Sequence, residues 1–368
     1  MPLNHPKDAL LPGVCLGRYE ILRVLGRGGF GITYAARASS RTGEMVAIKE
    51  LFPNQLCVRD HGGHVAAAPG TDESDLEAII TMFRQEAEII CAIRHPHLVR
   101  GIEWIETNST GYLVMDYASG RNLQEHLRTS GGNYQVTPET VTQLCRGVLS
   151  GLDCLHSHGI LHGDLKPDNI FLGVGFEPII IDMGSARASA SSAEQLPSTY
   201  SHHYSAIEQL ESRYGRTGPW TDIYQLSAVI YRCLSGGKLP DAEDRARTAV
   251  DPFVRLTELE GLEAYPLAFL MAVDAGLERF PKDRPQSILQ WRKMLDPSLE
   301  AMVPGTKSKK RIFPPLRVPP AFRRSARLPG SPVLPVSPKG SAVDPLAFLG
   351  IVLVIVVAVI VLFLLAGC

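Results

Sequence analysis

The chain has 368 residues, of which 45% are hydrophobic and 20% charged, and its formal net charge is -1. This composition is that of a globular protein with one large or two ordinary domains. A near-neutral chain lacks the broad basic surface that nucleic acid requires, so we expect no nucleic-acid partner. The seven cysteines are scattered without a C-x-x-C pair, which indicates a reducing compartment and neither a zinc site nor a disulfide framework.

A glycine-rich turn follows the first predicted strand. Residues 19–25 alternate loosely, residues 26–31 read Gly-Arg-Gly-Gly-Phe-Gly, and residues 32–36 are again strand-like. This pattern predicts a β-hairpin whose glycines let backbone N–H groups approach phosphate oxygens, with Phe30 able to cover a triphosphate. The glycine pattern alone is equally typical of an ordinary turn. A dinucleotide-binding fold is excluded, because it needs a helix immediately after the glycines.

The next predicted elements are a strand, an insertion and a helix. Residues 46–49 read Val-Ala-Ile-Lys. A lysine at the end of a strand is usually just solvated, so only its place after the glycine turn gives Lys49 interest. Residues 52–74 predict a loop insertion. An amphipathic helix is predicted over residues 75–94 and carries Glu86, for which a solvated helix face is the alternative interpretation.

Further elements lead to a short polar loop. Strands are predicted over residues 104–107 and 112–117, a connection over 118–120, and a buried apolar helix over 141–158. The apolar runs 159–161 and 170–172 then predict short buried strands that would hold the loop between them.

The loop itself, residues 162–169, reads His-Gly-Asp-Leu-Lys-Pro-Asp-Asn and combines a carboxylate, a cation and a carboxamide. Asp164 could accept a proton from an alcohol, Lys166 could neutralise a transferring phosphoryl group, and Asn169 could bind Mg²⁺. A buried strand over residues 177–182 ends in a second acid, Asp182, eighteen residues after Asp164. The sequence therefore predicts a site for phosphoryl transfer.

From about residue 15 to 296, these motifs resemble the eukaryotic-type (Hanks-type) Ser/Thr protein kinase family, and specifically its bacterial, membrane-anchored members. The resemblance implies an α+β, two-lobed protein kinase fold with a small β-rich N-lobe and a larger helical C-lobe. It implies ATP with Mg²⁺, or Mn²⁺ in its place, as cofactors, and protein substrates as partners. By resemblance, Asp164 and Lys166 are catalytic, and Asn169 and Asp182 bind the metal. The implied nucleotide-binding positions are Gly26, Gly28, Gly29, Phe30, Gly31, Ala47, Lys49, Glu86, Met115, Asp116, Ala118 and Phe171.

The resemblance also implies several specific contacts. Lys49 would pair with Glu86, and the backbone from Asp116 to Ala118 would bind the base, with Met115 controlling access behind it. Three further contacts are implied outside the nucleotide site: an ion pair between Glu208 and Arg284, a bond from Asp222 to the backbone of the catalytic loop, and a contact of Ser201 with Asp164 and Lys166.

Three positions depart from the family pattern: Gly163 replaces an arginine, Met183 a phenylalanine and Ile207 a proline. In many kinases that arginine receives a phosphate from the activation segment, which residues 185–201 would form here. Because Gly163 cannot do so, we expect activity not to depend strictly on phosphorylation of the five hydroxyl residues between positions 189 and 199.

The C-terminal part differs in composition from the rest. Residues 1–14 are expected to be an N-terminal extension without a secretory signal, 15–296 the kinase domain, and 297–345 a basic, proline-rich linker that could bind a groove in a partner. Residues 346–366 are 21 uncharged, mostly apolar residues, and as a helix they would span about 31 Å. This predicts a single-pass, tail-anchored protein of the inner or plasma membrane, with the kinase domain in the cytoplasm.

Two other functions stay open at this stage. A catalytically weak pseudokinase or membrane-tethered scaffold is compatible with Gly163 and Ile207, although every metal and phosphate ligand is retained. A membrane adaptor acting through the proline-rich tail would require residues 304–345 but not Asp164.

Overall fold

A computed structural model of the chain describes residues 8–40, 43–129, 136–182, 187–188, 201 and 203–302. The predicted membrane helix (346–366), all of the linker beyond residue 302, and Met183 with most of the predicted activation segment lie outside these ranges. No helix within the described ranges is both long enough and apolar enough to cross a bilayer.

The N-terminal half is built on a six-stranded antiparallel sheet with a helix against it. The strand order is β1-β2-β3-β4-β8-β7. The strands of this half are β1 (Cys15–Leu16), β2 (Tyr19–Arg27), β3 (Gly31–Ala38), β4 (Met45–Leu51), β5 (Cys57–Arg59), β6 (Val65–Ala67), β7 (Gly101–Thr107) and β8 (Thr110–Asp116), and the helix is α1 (Glu73–Ala92).

Helix α1 begins and ends about two residues earlier than the sequence pattern predicted. Its N-cap, Asp72, accepts a hydrogen bond from the backbone N–H of Ser74 (2.9 Å), and Glu73 and Asp75 place negative charge at the positive end of the helix dipole. The buried face of the helix is formed by Leu76, Ile79, Phe83, Ala87 and Ile90. These positions recur every three or four residues, which is why one face of the helix packs on the sheet.

The segment that we expected to be a loop insertion contains a hairpin. Strands β5 and β6 pair antiparallel, and Cys57 and Val65 are buried in a core that also includes Ala9 and Leu10. The backbone N–H of Leu10 donates to the hydroxyl of Tyr34 on β3 (3.1 Å). The hairpin and residues 9–10 of the N-terminal extension therefore pack together on the sheet that carries the glycine turn.

The C-terminal half is mainly helical. Its helices are α2 (Leu123–Thr129), α3 (Pro138–Ser157), α4 (Ile207–Leu210), α5 (Pro219–Ser235), α6 (Ala242–Arg247), α7 (Leu267–Gly276) and α8 (Ile288–Met302). Its strands are β9 (Arg121–Asn122), β10 (Ile160–Leu161), β11 (Ile170–Leu172), β12 (Pro178–Ile180) and β13 (Arg187–Ala188). They form a three-stranded sheet of order β12-β11-β9 and a separate β10-β13 pair.

Helix α5 is the central element of this half. It begins with Pro219 at its first position and ends at Gly236, whose φ of 66° is the left-handed conformation that glycine accepts readily. Residues 221–231 are all buried. A helix buried on every side can hold the loops around it in fixed positions. Its first two turns contact the polar loop described next.

Candidate active site

The polar loop is held between two short strands, as the sequence predicted. Strand β10 precedes it and β11 follows it, and residues Pro167–Asn169 form one turn of 3₁₀-helix. His162 is fully buried at the start of the loop. Its Nδ1 atom accepts a hydrogen bond from the backbone N–H of Asp164 (3.3 Å), so this histidine supports the loop from below.

Asp164, Lys166 and Ser201 form a closed polar triangle. The Ser201 hydroxyl donates to the Asp164 carboxylate (2.8 Å), and the Lys166 ammonium donates both to that carboxylate (2.7 Å) and to the hydroxyl oxygen (2.9 Å). This geometry confirms the predicted contact of Ser201 with both residues. The Ser201 hydroxyl thus contacts the Asp164 carboxylate, and the Lys166 cation lies beside the hydroxyl oxygen.

Asn169 and Asp182 supply the oxygen donors that a magnesium ion prefers. The Asn169 side-chain nitrogen donates to the Asp164 carbonyl (2.7 Å) and carboxylate (3.2 Å), which leaves the amide oxygen available for a cation. Asp182 has a φ of 56°, an uncommon backbone conformation for a residue other than glycine and one often found at functional sites. Within the described ranges no three His, Cys, Asp or Glu side chains form a separate metal cluster.

Lys49 forms an ion pair with Asp182, and this corrects one prediction. The ion pair expected between Lys49 and Glu86 is not among the contacts of the described residues. Burial alone would lower the pKa of Lys49, but the Asp182 and Glu86 carboxylates raise it above its ordinary value. Burial would likewise raise the pKa of Asp182, but Lys49 holds it at about 2, whereas burial raises that of Glu86 to about 8.

The glycine turn lies at the tip of the predicted hairpin. Gly26 lies on β2, residues 28–30 form the turn, and Gly31 begins β3. The backbone N–H of Gly28 donates to the Gly31 carbonyl (2.9 Å), and the Phe30 carbonyl accepts from the N–H of Phe52 (2.9 Å). A Cβ atom on Gly31 would collide with the Glu50 carbonyl, so only glycine fits at this position.

The predicted base-binding residues lie mainly on two inner strands of the N-terminal sheet and in the connection that follows them. Ala47 on β4 pairs with Met115 on β8, and both side chains are buried. The backbone N–H of Asp116 donates to the carbonyl of Arg100 (2.9 Å), so this one N–H is already engaged, and binding of a base by the backbone from Asp116 to Ala118 stays a prediction. Ala118 follows in the connection to β9, and Phe171 lies half-buried on β11.

Asp222 fixes the backbone of the polar loop. Its carboxylate accepts from the backbone N–H groups of His162 (2.9 Å) and Gly163 (2.8 Å), as predicted. Burial alone would raise the pKa of Asp222, but His156 and these donors hold it below its usual value. The residue is therefore a fixed negative charge under the loop.

A family model for the protein kinase domain matches residues 19–268 of the chain. The chain belongs to the protein kinase family. It is similar to serine/threonine-protein kinase pkn2 of Myxococcus xanthus, with 29% identity over 78% of this chain and 34% of the relative. It is also similar to the probable serine/threonine-protein kinase pknA2 of Bifidobacterium longum, with 30% identity over 70% of this chain and 32% of the relative.

Solved structures show the same fold. The apo form of PpkA-294 superposes with a TM-score of 0.65 at 28% identity and covers 78% of this chain and 100% of that one. A mutant kinase domain of PknI from Mycobacterium tuberculosis superposes at 0.57 with 21% identity, covering 79% of this chain and 99% of that one. The predicted two-lobed kinase fold is confirmed. The chain spans about a third of the length of the curated relatives that it matches.

The kinase domain also contains site contacts that sequence reasoning missed. His156, at the end of α3, contacts the Asp222 carboxylate through Nε2 (2.7 Å). Two glutamine side chains, those of Gln209 and Gln225, bind the carbonyl of Gly163. The only sequence signal for these contacts was a single polar residue, Gln225, within an otherwise apolar helix pattern.

Proposed function

We propose that this protein is a serine/threonine kinase that transfers the γ-phosphoryl group of ATP to hydroxyl groups of protein substrates. The observation that carries the proposal is the serine hydroxyl on the Asp164 carboxylate, with Lys166 touching the same oxygen. The oxygen of this serine hydroxyl lies where the oxygen of an attacking substrate alcohol would have to lie. The family membership and the names of the bacterial relatives support the same reaction.

In the proposed mechanism, Asp164 orients the substrate hydroxyl and accepts its proton as the oxygen attacks the γ-phosphorus. The bond from that phosphorus to the β,γ-bridging oxygen breaks, and ADP leaves. Lys166 lies next to the attacking oxygen and offsets the negative charge of the transferring group. The substrate hydroxyl would take the position that the Ser201 hydroxyl occupies, or one adjacent to it. Most of the rate gain then comes from positioning and electrostatics.

Lys49 and the glycine turn are proposed to hold the nucleotide. The Lys49 ammonium would bind the α- and β-phosphates, and the backbone of residues 28–31 would cover them. Ala47 and Phe171 offer apolar surfaces for the base. Release of Asp182 from Lys49 would free its carboxylate when ATP enters, and Glu86 could then approach the lysine.

Asn169 and Asp182 would hold Mg²⁺, and the donor set fits. Both contribute oxygen atoms, and the amide nitrogen of Asn169 is already engaged with Asp164. A bound Mg²⁺ ion neutralises charge on the β- and γ-phosphates.

The test is transfer of labelled γ-phosphate by the full-length chain in detergent, with Asp164→Asn compared to Asp168→Asn. Asp168 lies on the same loop but is exposed, so the two variants undergo the same chemical change. Asp164→Asn should reduce transfer by about 10²- to 10⁴-fold, and Asp168→Asn should leave it nearly unchanged. Equal activity of both variants would contradict the mechanism. Nucleotide binding without any transfer by the wild type would favour the scaffold function.

We further propose that residues 346–366 anchor the kinase in the inner or plasma membrane with its domain in the cytoplasm. Two features support this proposal: the segment is long enough to span a bilayer and carries no charge, and the linker before it is basic. The linker remains a candidate ligand for a proline-binding groove. Substituting Val356→Lys and Ile360→Lys together should move the chain from the carbonate-resistant membrane fraction to the soluble fraction, because each buried lysine costs about 3 kcal/mol. Unchanged fractionation would contradict the anchor.

A further inference from the structure

Gly163 is the residue where this kinase departs from its family in the catalytic loop, and side chains bind both its backbone N–H and its carbonyl. Its φ of 74° lies in the left-handed region, which glycine adopts without strain. Its N–H donates to Asp222 (2.8 Å), and its carbonyl accepts from the side chains of Gln209 (2.7 Å) and Gln225 (3.0 Å). The two peptide groups that meet at Gly163 are therefore both held, the first by Asp222 and the second, which precedes Asp164, by the two glutamines.

Gln225 also holds the peptide after Asp164. Its side-chain oxygen accepts from the backbone N–H of Leu165 (2.9 Å), while its nitrogen donates to the Gly163 carbonyl and to the Gln209 side chain (3.0 Å). The residue is 1% exposed. One buried carboxamide thus binds both peptide groups that flank the proposed catalytic base.

Gln209 connects this arrangement to the substrate side of the site. Its side-chain oxygen accepts from the backbone N–H of Ala206 (2.9 Å), just before α4. Ser201, five residues earlier, lies on the Asp164 carboxylate. The two glutamines therefore link the base to the segment that contacts its hydroxyl partner.

We propose that Gln225 and Gln209, here called the amide clamp, are positioning residues that hold Asp164 in its catalytic orientation. The clamp uses neutral hydrogen bonds built into the folded domain, so it needs no phosphate on the activation segment and no charged side chain at position 163. This inference rests on the proposed kinase function and deepens it, because it says how the loop stays ordered without the arginine.

A buried polar residue on α5 does not have to bind the loop, and Ser227 shows this. Ser227 is fully buried, and its hydroxyl has no hydrogen-bond partner in the described part of the chain. It lies two residues after Gln225 on the same helix. Ser227→Ala is therefore a matched control for polar substitution in this helix.

The experiment measures kcat, KM for ATP and the thermal midpoint of the full-length protein in detergent. Gln225→Met has a similar volume and removes all three hydrogen bonds. It should reduce kcat at least about 10-fold, since small displacements of a catalytic group can cost up to about 10²-fold. KM for ATP should change less than about twofold, because the nucleotide-binding residues lie on other elements. Ser227→Ala should match the wild type.

Gln225→Glu adds a signature that a merely structural role would not produce. The new carboxyl keeps an acceptor for the Leu165 N–H but regains a donor toward the Gly163 carbonyl only when it is protonated. Burial and the Asp222 carboxylate one turn earlier both raise its pKa. The kcat of this variant relative to wild type should therefore rise as the pH falls from 8 to 6, and that of Gln225→Met should not.

Folded Gln225→Met and Gln225→Glu proteins that keep more than half of the wild-type kcat would overturn the clamp. If both fail to fold, Gln209→Met decides, because Gln209 is only half-buried: a loss of kcat at unchanged KM supports the clamp, and wild-type kinetics overturn it. A wild-type protein that transfers no phosphate would instead overturn the proposed function, and the clamp with it.

Discussion

The two lobes each contain a buried Glu–Arg ion pair, and only one of them was predicted. In the C-lobe, Glu208 and Arg284 meet at 2.8 Å with neither side chain exposed. In the N-lobe, Glu50 and Arg59 meet at 2.7 Å with 0% and 9% of their side chains exposed. The first pair belongs to the family pattern, and the second joins the strand that carries Lys49 to the hairpin we expected to be a loop.

The two carboxylates differ in how many donors they have. Glu208 accepts from Arg284 and from the Thr221 hydroxyl (2.8 Å) through one oxygen, and its other oxygen has no partner within the described ranges. Glu50 accepts from Arg59 and from the hydroxyls of Tyr34 (2.6 Å) and Tyr112 (2.8 Å). Glu208 therefore depends mainly on one cation, whereas Glu50 shares its charge among three donors.

The N-lobe pair is also placed differently relative to the active site. Neighbouring residues on a strand point to opposite faces of the sheet, so Glu50 holds β4 from the side opposite Lys49. Arg59 additionally donates to the carbonyl of Asp8 (2.6 Å). The N-terminal segment, the hairpin and the lysine strand are thus tied together at one carboxylate.

The largest effect is expected for Arg284→Ala. Removing the arginine leaves a fully buried carboxylate with one hydroxyl donor, which should lower the free energy of unfolding by about 3–5 kcal/mol. Denaturant unfolding measures this loss of unfolding free energy. Arg213→Ala is the control, because Arg213 pairs with Glu211 at 2.6 Å but is 64% exposed, and should cost less than about 1 kcal/mol. Similar losses in both variants would show that burial does not decide the cost.

Arg59→Ala should cost less than Arg284→Ala. Glu50 keeps two tyrosine hydroxyl donors, so we expect a loss of about 1.5–3 kcal/mol. The control is Arg18→Ala on the same lobe, where the arginine pairs with Glu103 at 2.6 Å but is 64% exposed. A loss as large as that of Arg284→Ala would mean that the tyrosines do not share the charge of Glu50.

Tyr112→Phe should have a smaller effect again. It removes one of the three donors to Glu50 without changing the packing volume, which should cost about 1–2 kcal/mol. Tyr117→Phe is the control, since in the described part of the chain the Tyr117 hydroxyl only accepts one exposed hydrogen bond, from the Arg23 guanidinium (3.2 Å). Equal stability of Tyr112→Phe and the wild type would remove Tyr112 from the proposed network.

Both ion pairs must be compared at one pH, because Glu86 titrates near neutrality. Its folded pKa is raised from 4.5 to about 8, so between these values the folded protein holds a proton that the unfolded chain has lost. Stability should therefore fall as the pH rises, with a slope of at most about 1.4 kcal/mol per pH unit for one proton.

The window from pH 6.5 to 8 separates this slope from that of His95, which has the opposite sign. Burial lowers the pKa of His95 from 6.5 to about 4, so through this residue stability falls as the pH drops, mainly below about 6.5. Glu86→Gln should flatten the decline measured by urea unfolding across the upper window. A decline unchanged by Glu86→Gln would assign the slope to another group.

The sequence predicted those parts of the site that rest on fixed motif spacing. The loop from His162 to Asn169 follows from a short segment with a distinct residue pattern, and the Ser201 contact and the support from Asp222 follow from the family resemblance. Arg59 could not be placed, because a strand of three residues leaves no periodic signal, and Leu10 lies outside the helices and strands altogether. The partner of Lys49 could not be read either, since Asp182 and Glu86 both lie within reach and only the side-chain arrangement decides between them.

The most direct test of the central claim is the chemical identity of the acceptor. Full-length protein would be incubated with γ-labelled ATP, Mg²⁺ and a generic basic protein, and the labelled amino acids would be identified after hydrolysis, with Lys49→Met in parallel. We expect label on serine or threonine in the wild type and none in Lys49→Met. Equal labelling by Lys49→Met, or a wild type that binds ATP and labels nothing, would contradict it.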